Sequence, residues 1–390
     1  MNKIRFSLNK NDAKFNMLSE DEKTLVESGV EVVKMYVADK ARSAEKKNFM
    51  SLLSDVKVED RKKLDNEVVT KIVKYSLKQA GVDTEGFELK DIANPMLHNK
   101  TIFKETFNAI LAQIMTPIVP AMVSAEFMDI ADVANIGWGD TARFKVNSND
   151  TFYVHRIAEG INQGSVQRLY NDELVVNPEP YNIKTTVDWY QIAAGLFDLG
   201  EFVYKVGYSF NAYITQMIVT AIAAHVEAGV ASSYFVNGFT TTTFAHLADV
   251  LRAANGGAKV HAYGTLPALS TIIPHDKGTT ANMQMQLGEE WSKVGYISTY
   301  MDVDLIRMPQ ILLPNTVNTK PLVGIPDSLI LMFADGGYKP VKLVFEGAPI
   351  TIDIIPTDSP DKEMGINVTS RFGQTLVAAS KFGAITLGGE

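Results

Sequence analysis

Hydrophobic residues recur at helical spacing in two stretches of the first 80 positions. The apolar positions are Val26, Val30, Val33 and Val37 in the first stretch and Leu64, Val68, Ile72 and Tyr75 in the second. Ser19 and Glu22 precede the first stretch with the spacing of a capping box, and Gly81 follows the second as a helix stop. The pattern therefore predicts two amphipathic helices, each with a narrow apolar face that needs a partner.

The hydrophobic period changes to two between about residues 140 and 196. The alternating positions are Phe144 and Val146 on the outgoing side, and Ile183, Thr185, Val187 and Trp189 on the returning side. Between them, residues 155–180 are polar and contain Gly160, Gly164, Pro178 and Pro180. This segment has too few large apolar residues for a core, so we predict two strand-like arms that carry a long projecting hairpin or loop.

A long helical pattern occupies residues 198–229, with Asp198 as the candidate N-cap and Gly229 as the stop. Its apolar positions are Phe202, Val206, Phe210, Ile214, Met217, Ala221 and Ala224. Shorter elements follow: helices are predicted at 245–254 and 282–291, and strands at 268–273, 303–308, 342–345, 351–355 and 367–378. Glycine, proline and asparagine separate them, which is typical of a compact α/β region.

The composition excludes several classes of protein. The chain has 390 residues, 46% of them hydrophobic, and no cysteine, so disulfides, thiolate metal sites and cysteine nucleophiles are excluded. The net charge of −8 argues against broad binding to nucleic acid. The charge is unevenly spread: residues 1–90 hold 18 basic and 16 acidic residues, whereas the remaining 300 hold 19 and 29. A charge-dense helical leader thus precedes a weakly charged body.

Two uncharged stretches, residues 106–125 and 206–226, are long enough to cross a bilayer. Prolines interrupt the first and polar residues are spread along the second, so we expect buried or interfacial helices and no membrane partner. The N-terminus lacks the apolar run of a secretory signal, which favours an intracellular protein.

Candidate chemistry is sparse. Residues 137–142 fit a relaxed dinucleotide-binding pattern, but a strand-like alternation follows where that motif needs a helix, so we expect a turn. Asp302 and Asp304 would share one face of a strand and could bind a divalent ion, or they could be solvated residues on a half-exposed strand. The six histidines show no i, i+4 pair. We expect no cofactor and no enzyme.

The order of elements resembles the major capsid proteins of tailed bacteriophages, which have the Hong Kong 97-type fold. The closing run INVTSRFGQTLVAASKFGAITL is similar to the family's final strand, with an Arg-Phe-Gly turn into apolar residues. The resemblance implies an α+β protein with a peripheral domain, a long spine helix, an axial domain, an extended β loop and a helical N-terminal segment. It also implies a non-enzymatic structural role in an icosahedral shell.

The resemblance assigns ranges as follows: 1–95 charged N-terminal segment, 96–137 N-terminal arm and start of the peripheral domain, 138–196 extended loop, 197–244 peripheral domain with the spine helix, 245–340 axial domain, and 341–390 returning peripheral strands. Near the loop tip, the expected assembly contacts are Arg156, Glu159, Arg168, Asp172 and Glu173, through charge complementarity with a neighbour. Residues 155–172 contain no lysine, so the covalent cross-linking seen in some members is not expected.

The implied partners are copies of the chain itself as pentamers and hexamers, scaffold, portal and decoration proteins, and packaged double-stranded DNA bound without sequence specificity. The implied location is the virion capsid, assembled in the host cytoplasm. Two alternatives stay open: an encapsulin-type bacterial compartment with the same fold, and a metal-dependent enzyme that uses Asp302 and Asp304.

Overall fold

The computed structural model describes residues 13–45, 56–116, 130–147, 154, 171–227, 234–272, 294–313, 322–335, 339–347, 351–355, 363–377 and 382–387. These residues form an α+β structure that divides into two compact units. Unit 1 comprises Met1–Ala125, Pro178–Asn211 and Phe345–Phe372, and unit 2 comprises Glu126–Asn177, Ala212–Val344 and Gly373–Glu390.

The helices are α1 (Ala13–Asn16), α2 (Glu20–Glu45), α3 (Val56–Gln79), α4 (Pro95–His98), α5 (Thr101–Met115), α6 (Trp189–Ala193), α7 (Leu199–Glu227), α8 (Thr241–Ala254) and α9 (Leu266–Ser270), with a 3₁₀ turn at Leu89–Ala93. The strands are β1 (Ala131–Ile136), β2 (Ala142–Asn147), β3 (Asn171–Val176), β4 (Glu179–Asp188), β5 (Phe235–Asn237), β6 (Val260–Gly264), β7 (Thr299–Tyr300), β8 (Val303–Arg307), β9 (Leu329–Ala334), β10 (Val341–Glu346), β11 (Thr351–Ile355), β12 (Glu363–Leu376) and β13 (Gly383–Thr386).

The helices α2 and α3 confirm the prediction of two amphipathic helices near the N-terminus. The Ser19 N–H donates to Glu22 Oε2 at 2.9 Å, and the Glu22 N–H donates back to Ser19 Oγ, which completes the capping box. The valines of the α2 stripe are buried, as are Val68 and Ile72 of α3. Gly81 ends α3 with a φ of 72°, a left-handed conformation that favours glycine.

Helix α5 packs against both α2 and α3 within unit 1. At Gly29 of α2, a Cβ atom would overlap the side chain of Ile114, so any other residue there would force that side chain to move. The long apolar stretch that begins at residue 106 is therefore, as far as Met115, part of a buried helix. Among the described residues, no helix is long and apolar enough to cross a membrane.

The β4 strand pairs antiparallel with β12, whose other neighbour in unit 1 is β11. The predicted returning strand is thus confirmed as β4, from Glu179 to Asp188, and its partner is β12. Trp189, predicted to continue the strand, instead begins α6. Asp188 ends the strand by accepting the N–H of Tyr190 at 2.8 Å, which caps that helix.

The long helix α7 begins at Leu199, and Asp198 is its N-cap as predicted, since Asp198 Oδ1 accepts the Glu201 N–H at 2.8 Å. Val206, Phe210 and Ile214 are buried, whereas Ala224 is exposed. The proposed stop at Gly229 lies outside the described residues.

A six-stranded sheet in the order β5-β13-β9-β6-β8-β7 forms the centre of unit 2. Helices α8 and α9 pack on it around a core that includes Phe244, Leu251 and Met332. The strand predicted at 268–273 is wrong over 268–270: these residues belong to helix α9, which has Pro267 in its first turn, and Ala268 and Leu269 are buried. The helix predicted at 282–291 lies outside the described residues.

The closing run also differs from the prediction. Strand β12 continues through Arg371–Gly373 without a turn, and the final strand β13 pairs with β9 and β5 in the sheet of unit 2. Gly383 permits this pairing because a Cβ there would lie 2.8 Å from Leu251 Cδ1.

Candidate assembly surface

The strands β2 and β3 form a two-stranded antiparallel arm in unit 2, with Ala142 opposite Val176 and Asn147 opposite Asn171. Residues 148–170 connect the two strands, and of these the structure describes only Val154, which is exposed. The predicted outgoing strand is thus confirmed. Its partner is β3, which the sequence analysis had included in the loop.

The inner face of the arm holds it to the rest of unit 2. Ala142 and Val176 are buried against Val344 of β10, and Phe144 packs beside them. Lys342 Nζ, also on β10, lies 5.5 Å from the centre of the Phe144 ring and donates to Asp132 Oδ2 of β1 at 2.9 Å. This buried lysine is stabilised by its carboxylate partner and the aromatic face, and it fixes the base of the arm.

The outer face of the arm is charged and exposed. Arg143 and Glu173 form an ion pair at 3.2 Å while their side chains remain 62% and 54% exposed. Glu173 also lies opposite Lys145 in the strand register, and Val175 is an exposed apolar residue on the same face. Because strand side chains alternate, this face is free of the core contacts made by Ala142 and Phe144.

Of the five predicted contact residues, the structure places two on the arm. Glu173 pairs with Arg143 of the same chain, and Asp172 lies opposite Val146 on β3. Arg156, Glu159 and Arg168 lie outside the described residues. The sequence analysis missed Lys342, although a lysine at the start of the apolar run Val341–Phe345 signals a buried ion pair.

Asp302 and Asp304 do not share a strand face. Asp302 lies in the preceding turn with a φ of 62°, where it accepts from Arg252 at 3.1 Å. Asp304 lies on β8 and accepts from Lys259 at 2.7 Å, a bond that holds the pKa of the Asp304 carboxyl below its usual value. Each carboxylate thus faces a cation, and no group of three or more histidine, aspartate or glutamate residues in the described part could hold a metal ion.

His261 lies beside this ion-paired group. Its Nδ1 is 3.4 Å from Asp304 Oδ2, and its Nε2 is 3.4 Å from Asp335 Oδ2. Lys259 is bonded to Asp304 as well, so these side chains form a polar cluster beside the neighbouring strands β6 and β8.

The dinucleotide-like segment is a turn, as expected. The Gly137 N–H donates to Asp140 Oδ2 at 3.2 Å, and the strand β2 follows at once. No helix N-terminus is therefore available at this segment to bind a pyrophosphate.

One family model matches most of the chain. The family described as "SPbeta prophage-derived putative capsid protein YonB" matches residues 32–386, which is 355 of the 390 residues. No curated protein is significantly similar to the chain.

Several solved capsid structures resemble the chain at a distance. The mature capsid of bacteriophage PhiM1 is 12% identical, with a TM-score of 0.45 over 68% of this chain and 87% of that one. The capsid of an empty GTA particle is 9% identical, with a TM-score of 0.45 over 69% and 90%. A virus-like particle from Pyrococcus furiosus is 10% identical, with a TM-score of 0.38 over 68% and 93%.

Proposed function

Because the chain belongs to the YonB family of prophage-derived capsid proteins, we propose that it is a structural subunit that assembles with copies of itself into a phage-type icosahedral shell. The family match over residues 32–386 is the observation that carries this proposal. The family is one of capsid proteins and not of enzymes. The ion-paired state of Asp302 and Asp304 likewise gives no support to a metal-dependent enzyme.

The arm β2–β3 supports a shell role on physical grounds. A shell subunit must bury surface against several neighbours, which favours extended elements over one large apolar patch. The arm presents Arg143, Lys145 and Glu173 together with the exposed Val175, and the turn before it carries Trp138, which is 57% exposed. Charged residues around a few apolar ones are typical of an interface whose register is set by charge.

We extend the proposal to the loop as a whole. The arm and its connection, with Arg156, Glu159, Arg168, Asp172 and Glu173, contact a neighbouring subunit in pentamers and hexamers of a Hong Kong 97-type shell. The shell encloses double-stranded DNA without sequence-specific contacts. The weakly acidic body, with 19 basic and 29 acidic residues after position 90, suits a container that does not hold its genome tightly.

Electron microscopy of the purified full-length protein tests the proposal directly. Closed shells, or capsomers with five- and six-fold symmetry, are expected. A strict monomer at high concentration would contradict the proposal. Nuclease-protected double-stranded DNA inside particles made during phage induction would support a phage capsid. A protein cargo without DNA would favour an encapsulin-type bacterial compartment.

A charge swap tests the role of the arm. The variant Arg143→Glu breaks the intrachain pair, and adding Glu173→Arg restores that pair with its polarity reversed. If the pair sets register with a neighbour, the double variant folds normally but assembles poorly, because the charges presented to the neighbour are inverted. If the pair serves the arm alone, the double variant assembles like the wild type.

The matched control for this experiment is the same swap at Glu88 and Lys90, a second exposed ion pair, which belongs to unit 1, whereas the arm belongs to unit 2. An exposed pair contributes only about 0–1 kcal/mol to folding, so neither swap should change the thermal midpoint by more than a few degrees. Any loss of assembly specific to the arm variant then reports an intersubunit contact.

A further inference from the structure

A buried ionic junction joins the N-terminal helical pair to the start of α7 in unit 1. Arg61 of α3 donates to Asp198 Oδ2 at 2.9 Å and approaches Asp39 Oδ2 of α2 at 3.5 Å, with its side chain only 9% exposed. Its guanidinium carbon lies 4.7 Å from the centre of the Tyr36 ring. Since i and i+4 positions share a helix face, Asp65 points to the same place as Arg61.

Asp65 caps the same helix terminus from another element. Asp65 is only 2% exposed. Its Oδ2 accepts the Leu199 N–H at 3.2 Å, and the Gly200 N–H is a second donor to the carboxylate. Its Oδ1 is buried and has no hydrogen-bond partner among the described residues. A helix N-terminus can stabilise an anion. Asp198 is already an anion at the N-terminus of α7, so an ionised Asp65 places a second negative charge there.

The residues around this junction are closely packed. Gly200 lies so near α2 that a Cβ atom there would be 2.9 Å from Tyr36 Cβ. A carboxylate in such a place loses its hydration without gaining a full set of donors, which disfavours the charged form.

The charged and titratable groups around Asp65 shift its pKa in opposite directions. Burial and then the charge of Asp198 raise the pKa of Asp65 to about 7, while the two backbone N–H groups and Arg61 oppose that rise. On α2, Tyr36 faces the junction, and burial together with Glu201 and Asp198 raises the pKa of Tyr36 to about 12, so this residue is neutral throughout the physiological range. Asp39 completes the set as the second carboxylate near Arg61.

We propose that Asp65 is a proton-dependent switch at this junction, which holds α2 and α3 on the first turn of α7 tightly when protonated and more weakly when ionised. The inference concerns contacts within one chain and does not rest on the proposed shell function.

The direction of the pH effect follows from linkage. The pKa of Asp65 is higher in the docked state than the ordinary value of 3.8, so docking binds a proton. The extra stability is fully present below pH 3.8 and is lost as the pH rises to about 7, above which no further change is expected. Between these limits, the equilibrium constant for opening the junction rises about tenfold per pH unit.

Hydrogen exchange of the full-length protein, followed by mass spectrometry between pH 4.5 and 8.5 and corrected for intrinsic rates, tests the proposal. Light scattering at each pH confirms an unchanged oligomeric state. For peptides of α3 and of residues 199–201, the wild type should lose protection up to pH 7 and then level off. Asp65→Asn, which mimics the protonated side chain, should show no such loss and stronger protection at pH 8 than the wild type.

The hydrogen-exchange experiment has a control variant, Asp21→Asn. Asp21→Asn removes the same charge at an exposed position on α2 and should follow the wild-type profile. A flat wild-type profile, or an Asp65→Asn profile like that of the wild type, would overturn the proposal. If Asp65→Asn does not fold, Asp198→Asn replaces it: losing that neighbouring charge lowers the pKa of Asp65 and must shift the transition to lower pH.

Discussion

Replacement of Trp189 by alanine should strongly destabilise unit 1. Trp189 is 1% exposed and stacks on His98 at a centroid distance of 5.4 Å, with Phe103 and Phe107 at 5.3 and 6.0 Å. Truncating a buried tryptophan costs about 3–5 kcal/mol through lost burial and the cavity that remains. We expect a value near 4 kcal/mol, because three aromatic neighbours lose a partner at once.

Chemical unfolding followed by circular dichroism measures this cost, since the signal does not depend on the removed indole. Trp138→Ala is the matched control: this residue is 57% exposed, so its truncation should change the free energy of unfolding by no more than about 0.5 kcal/mol. Trp189→Phe should fall between the two, because it keeps the aromatic contacts and loses part of the volume.

The reasoning fails if Trp189→Ala costs no more than Trp138→Ala. Such a result would mean that α4, α5 and α6 do not share one core. A loss of 4 kcal/mol is a large fraction of the 5–15 kcal/mol typical of a folded protein, so the two outcomes are easily distinguished.

Three further predictions address other contacts. Arg61→Gln should lower the free energy of unfolding by about 3 kcal/mol in denaturant titrations, because it leaves a largely buried carboxylate without its ion-pair partner; a cost below that of an exposed pair would contradict the geometry. Gly29→Val should cost about 1–3 kcal/mol by overpacking against Ile114, and a thermal midpoint equal to wild type would show that α2 and α5 can separate without cost. Asp304→Asn should lower the pKa of Lys259, which the Asp304 carboxylate raises, and NMR titration of the Lys259 side chain measures this shift.

Local pattern was sufficient for the long helices but not for the short ones. The capping box at Ser19, the valine stripe and the stop at Gly81 together predict α2 and the end of α3, because each depends on neighbours within one or two turns. Asp198 was recognised as an N-cap for the same reason. The segment 268–273 was mistaken for a strand because a short apolar run has no clear period, and its Pro267 was the better signal.

Strand pairing was beyond local pattern. The alternation at Phe144 and at Ile183 is equally clear, yet the first strand pairs with residues 171–176 and the second with residues 363–372. Which strands meet depends on competition among all strands for partners, which a single strand's sequence does not contain. The same holds for β13, whose place in the sheet of unit 2 depends on the fit of Gly383 beneath Leu251.

Some features of the candidate assembly surface and of the helical junction also follow from the sequence, whereas others depend on the tertiary structure. The sequence by itself determined a charge-dense helical leader, a weakly charged body without cysteine, a polar segment between two strand-like stretches and a resemblance to phage capsid proteins, since these follow from composition and element order. The tertiary structure alone decided that Glu173 pairs with Arg143 and that Lys342 is buried beneath the arm. It alone decided that Asp65 meets the N–H of Leu199 from 134 residues away, because the burial and pairing of a charge are set by chain segments far apart in sequence.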